Sequence, residues 1–124
     1  MREIKFRAWS IYGKCIYDWE IIKASPKMHS YFDWPTMYSP MQYTGLKDKN
    51  GKEIYEGDFL GVWEDEQWIY YGAVAFNDYD ATYFLAGEDG YATDYETYDC
   101  SDWSIFTIIG NIYENLNYWK TNDN

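Results

Sequence analysis

"QYTGLKDKNGKEIYEGDFL", residues 42–60, decides how the chain is built. It carries Gly45, Gly51 and Gly57, a Lys-Asp-Lys-Asn-Gly centre and a frame of aromatic and aliphatic residues. Glycines beside a lysine invite comparison with a phosphate-binding loop, which needs Gly-Lys followed by Ser or Thr and then a helix. Here Gly51-Lys52 runs into Glu53-Ile54-Tyr55, a β-prone continuation. Asn50-Gly51 is instead a hairpin signal, because both residues tolerate positive φ and let a tight turn match the twist of its strands. Glu56-Gly57-Asp58 predicts a second turn, leading into a strand over Phe59-Leu60-Gly61-Val62-Trp63. The stretch is scaffolding.

Working outward, the same grammar recurs. Ile4, Phe6 and Ala8 alternate with Lys5, Arg7 and Trp9 as a half-buried strand would, and "SIYGK" turns the chain into Cys15-Ile16-Tyr17. Residues 19–24 predict a further strand. "SPKMHSYFDWPTMYSP", residues 25–40, holds all three prolines and predicts an irregular excursion. "QWIYYGAVAF" and "ATYFLA" predict paired strands joined through Asn77–Asp80, and Ile105–Ile109 a closing strand. Residues 87–104 are polar and acidic enough to predict an exposed loop or edge, and residues 117–124 a loose tail. The fold class expected is mainly β, a small SH3-like or partly open β-barrel with little helix, in a single domain over 1–124.

Composition narrows the function. Of 124 residues, 23% are aromatic, with 15 Tyr and 7 Trp, more than a core of this size encloses. Some must face outward. Charge is divided sharply: residues 1–52 hold nine of the ten Lys and Arg against five acids, while 53–119 hold fifteen Asp and Glu and no Lys, Arg or His. The formal net charge is -11. No apolar run approaches the ~20 residues of a membrane-spanning helix, and "MREIKFRAW" has charges where a signal peptide is apolar. The expectation is a soluble protein of the bacterial cytoplasm. Cys15 and Cys100 form no Cys-x-x-Cys pair and His29 is the lone histidine, so reduced thiols are expected, with no zinc cluster, no cofactor and no bound metal.

Enzyme readings fail on the residues. No Ser-His-Asp or Cys-His arrangement forms around His29, and linear sequence cannot single out a carboxylate pair with the spacing that hydrolysis needs. A calcium loop begun at Asp78 would place Asp80 and Thr82 well, but has Tyr83 where Gly is required and Asp89 where Glu is. The protein is expected to be non-catalytic.

Four blocks in order carry a family resemblance: Lys5-Phe6-Arg7-Ala8-Trp9, "QYTGLKDKNGKEIYEGD" at 42–58, Gly72-Ala73-Val74-Ala75-Phe76, and "IIGNIYEN" at 108–115. With these the sequence resembles the YopX family of phage and prophage proteins. The resemblance implies a mostly β, SH3-like or barrel-like fold and a tendency to self-associate, and it brings no catalytic residues with it. Residues 24–40 and 87–104 fit the family pattern least, and there individual function is expected.

Direct nucleic-acid binding is disfavoured, because the acidic region repels phosphates. The opposite partner fits: carboxylates interleaved with aromatics compete for a basic surface built to hold a polyanion. The carboxylates expected to stand in for phosphates are Glu64, Asp65, Glu66, Glu88, Asp89, Asp94, Glu96, Asp99 and Asp102. Trp63, Trp68, Tyr91, Tyr95, Tyr98 and Trp103 are the expected aromatic anchors. The reading is a phage accessory protein that binds a host protein's nucleic-acid-binding surface, as an inhibitor of a defence nuclease such as a CRISPR effector or restriction enzyme. Alternatives are an oligomeric assembly protein, its acidic part meeting Arg2, Lys5, Arg7 and Lys14 of the next copy, a carbohydrate-binding module, and acidity that serves solubility alone.

Overall fold

The structure, a computed structural model, describes residues 3–79, 81–87 and 100–115. It is mainly β, as expected, with two four-stranded sheets each curled as a half-barrel. The chain falls into two compact units, Met1–Tyr43 and Thr44–Asn124.

In the first unit, β1 (Phe6–Ser10) lies between β2 (Cys15–Tyr17) and the start of β3 (Tyr38–Lys47), antiparallel to both. The alternation predicted for β1 buries Ala8 and Ser10, and Ala8 is opposed by Tyr17 on one side and Pro40 on the other. Residues 19–24, expected as a strand, are instead helix α1 (Trp19–Ala24). Six residues are too few for helical periodicity to show against Ile21-Ile22, and the deciding signal is the preceding residue. Asp18 caps the helix, its carboxylate accepting from the Ile21 N–H at 3.1 Å. Glu20 in the first turn and Lys23 in the last complement the helix ends and pair at 3.2 Å, while Ile22 is fully buried. The proline-bearing excursion contains one helical turn, α2 (Ser30–Asp33), and yields to β3 at Tyr38. The rings of Tyr17, Tyr31 and Tyr38 pack on one another with centroids 4.6 to 6.4 Å apart. A hydrogen bond with the half-buried Cys15 thiol is the main cause that holds the Tyr17 phenol above its ordinary value. His29 is exposed.

In the second unit the last residues of β3 neighbour β4 (Glu53–Tyr55), and a sheet of order β7-β6-β5-β8 is formed by β7 (Thr82–Ala86), β6 (Gln67–Asn77), β5 (Asp58–Glu64) and β8 (Thr107–Asn111). A 3-10 helix, Cys100–Ile105, precedes β8. Ile54, Leu60, Val74, Tyr83, Leu85, Trp103 and Phe106 form one buried cluster, with Leu46, Val62 and Ile108 packed against it. Gly72 is required by this packing: its φ is +152°, and a Cβ there would lie 2.9 Å from the Leu85 Cβ. Gly72→Ala is expected to cost about 2 kcal/mol through overpacking, read as a lower urea midpoint at unchanged slope.

The turn of the opening stretch differs in detail from the two-residue form expected. Only Gly51 has positive φ, at 81°, and the loop is closed by Gly51 N–H donating to the Asp48 carbonyl at 3.0 Å and Asp48 N–H donating to the Lys52 carbonyl at 2.8 Å. The buried Asp48 carboxylate makes the longer loop work. Its Oδ1 accepts from the N–H groups of Asn50 and Lys52, both at 2.9 Å, and its Oδ2 from Ile108 N–H at 3.0 Å. The second turn is closed in a related way, the buried Asp58 accepting from Tyr55 N–H at 2.8 Å.

Candidate functional site

The β5–β6 hairpin presents the one group of expected site residues that the structure describes together. β8 reaches along β5 only as far as Thr107 opposite Gly61, and β7 reaches along β6 only to Ala86 opposite Ala73. Beyond those points the pairs Val62↔Ile69, Trp63↔Trp68 and Glu64↔Gln67 continue as a two-stranded ribbon. A two-stranded ribbon is marginal by itself. The direct cross-strand pair Trp63–Trp68 supports it, with ring centroids 5.2 Å apart in an edge-to-face arrangement; such pairs contribute about 0.5–1.5 kcal/mol beyond the area they bury. Both rings remain open to solvent, 57% and 47% exposed, so they also offer apolar surface to a partner.

The ribbon turns through Asp65-Glu66 alone, with φ of 51° and 64°. Positive φ at both central residues defines the type I′ turn, which is favoured by Asn-Gly and costs an ordinary L-residue roughly 1–2 kcal/mol. The sequence thus places a glutamate where backbone preference asks for Gly, beside an aspartate that tolerates left-handed φ. Glu64, Asp65 and Glu66 are all exposed, and among the described residues no ion pair engages them. Lys47, Lys49 and Lys52 ride on the neighbouring β3–β4 turn, which is bonded to Phe106 and Ile108 at the start of β8, yet none of them pairs with the tip. Three like charges within a few residues, with no ion pair to a cation among the described residues, give the tip a locally negative potential.

The other expected site residues divide. Glu88, Asp89, Asp94, Glu96 and Asp99, with Tyr91, Tyr95 and Tyr98, lie outside the described residues, as does the side chain of Asp102. Trp103 was expected as a surface anchor and is instead 3% exposed in the core cluster. The acidic stretch before it suggested exposure, but the 3-10 helix carries Trp103 into the cluster that also holds Phe106 and Leu85. What the sequence did not announce is the turn at Asp65-Glu66, since Glu66 stands where a hairpin signal would have Gly. Among the described residues no group of three His, Cys, Asp or Glu side chains is placed to hold a metal, and no helix is long and apolar enough to cross a membrane.

Comparison with known proteins bears on the whole chain. The model of the YopX protein family matches residues 5–118. Among solved structures, the chain is similar to protein EF1440 from Enterococcus faecalis, at 26% identity and a TM-score of 0.63, over 96% of this chain and 99% of that one. No curated protein matches the sequence.

Proposed function

The chain belongs to the YopX family, and on that premise we propose that it is a phage-associated, non-catalytic accessory protein whose acidic-aromatic surface binds a basic, nucleic-acid-binding surface of a host protein. The finer form of the proposal is inhibition of a defence nuclease, such as a CRISPR effector or a restriction enzyme. The observation that carries it is the β5–β6 tip: Glu64, Asp65 and Glu66 stand exposed between two exposed Trp rings, with no ion pair among the described residues. A basic groove that holds phosphates gains from such a tip twice. Its cations meet exposed carboxylates, and its guanidinium groups find indole faces on which to stack. Strain is retained at the turn where Asn-Gly would remove it, which is consistent with the side chains being kept for what they present.

The test is capture on the immobilised protein from a bacterial lysate, repeated with the Glu64→Lys, Asp65→Lys, Glu66→Lys variant. The proposal expects a nucleic-acid-binding protein to be retained at low salt, released at high salt, displaced by a DNA oligonucleotide and lost from the variant, whose near-ultraviolet circular dichroism is unchanged. Retention of the same protein by the folded variant would remove the tip from the interaction. Assembly alone would show instead as salt-sensitive sedimentation with no retained partner, and sugar binding as saturable quenching of Trp fluorescence by oligosaccharides.

A further inference from the structure

We propose that Asn50 is a site of spontaneous backbone modification, deamidation through a succinimide with Gly51, and that the reaction loosens the attachment of β8. The inference rests on a contrast among the four asparagines within the described residues. The side-chain oxygen of Asn77 accepts from Tyr79 N–H, that of Asn115 from Asn111 N–H, and Asn111 uses both ends of its amide, accepting from the N–H groups of Tyr113 and Glu114 and donating to the Glu114 carboxylate. Among the described residues nothing hydrogen-bonds the Asn50 side chain, which is exposed. It is also the one of the four followed by glycine. A Cβ at Gly51 would meet nothing within 4 Å, so the turn is open on that side of the Gly51 backbone, whose N–H donates to the Asp48 carbonyl at 3.0 Å.

In the reaction the Gly51 nitrogen gives up its proton and bonds to Cγ of Asn50, while the Cγ–Nδ2 bond breaks and the amide nitrogen leaves as ammonia. Water then opens the five-membered imide at either carbonyl, giving aspartate or isoaspartate. The sum is Asn plus water to a carboxylate plus ammonia. Imide formation removes the Gly51 N–H that closes the loop onto Asp48, and isoaspartate adds a methylene to the main chain between two amides that share the Asp48 Oδ1. The other oxygen of that carboxylate holds Ile108 N–H, so a change in an exposed turn is felt at β8.

The experiment ages the folded full-length protein at mildly alkaline pH, with the urea-unfolded chain and Asn50→Gln alongside, since glutamine does not close the five-membered ring. Peptide mapping for isoaspartate and the urea midpoint are both read. The proposal expects isoaspartate at 50 before any at 77 or 111, and a lower midpoint for the aged protein but not for aged Asn50→Gln. A folded chain left intact at 50 while the unfolded chain has reacted would show that the turn protects Asn50 and overturn the proposal. Modification with an unchanged midpoint would overturn the coupling to β8.

Discussion

Asp48→Ala is expected to destabilise the protein by about 3–5 kcal/mol, a large fraction of the about 5–15 kcal/mol that a domain commonly possesses. The carboxylate accepts three backbone N–H groups, from Asn50, Lys52 and Ile108, and sits 5% exposed. Removing it strips the acceptor from all three, and no other group on the turn replaces it, since the Asp48 carbonyl already receives Gly51 N–H. Hydrogen bonds to a charged acceptor contribute more than neutral ones, and a buried donor left unmade carries its desolvation cost as well. Asp48→Asn retains one oxygen and the side chain's shape, so it should fall between the two. Urea unfolding of the three proteins checks the order; a midpoint for Asp48→Ala equal to wild type would show that the three bonds contribute nothing net.

The same residue marks the limit of what the sequence made legible. The hairpin at 47–52, the turn at 55–58 and the pairing of β6 with β7 were readable because their turns use Asn, Gly and Asp in positions where local backbone preference and global topology agree. Asp48 was legible only as a charge, because its third partner is sixty positions away and no local pattern points to Ile108. Helix α1 was hidden by its brevity, with one capping side chain, Asp18, outweighing the β preference of Ile21-Ile22. For the candidate site, "WEDEQW" was marked by its chemistry, acids beside indoles, while its geometry was hidden. Glu66 carries no turn preference, and the register of the flanking strands forces the turn upon it. Trp103 failed for the converse reason: it follows an acidic stretch in sequence, but in space it belongs to the core cluster with Phe106 and Leu85.

That mismatch between turn and residues yields the second large prediction. Asp65→Asn with Glu66→Gly restores the pair that a type I′ turn prefers. Relief of left-handed strain at the glycine, set against the greater freedom of Gly in the unfolded chain, should stabilise the protein by about 1 kcal/mol. The Trp63–Trp68 pair and the strand register are untouched by the change. Two of the three exposed carboxylates disappear, however, so a partner held by the tip's negative potential should dissociate faster and bind at least tenfold more weakly, the equivalent of about 1.4 kcal/mol.

Measuring both properties on this one double variant addresses the central claim, that the tip keeps its acids for binding at the expense of its own fold. Urea unfolding and affinity for the captured partner should move in opposite directions, stability up and affinity down. Stability raised with affinity intact would contradict the claim and leave Asp65 and Glu66 as no more than a poorly chosen turn.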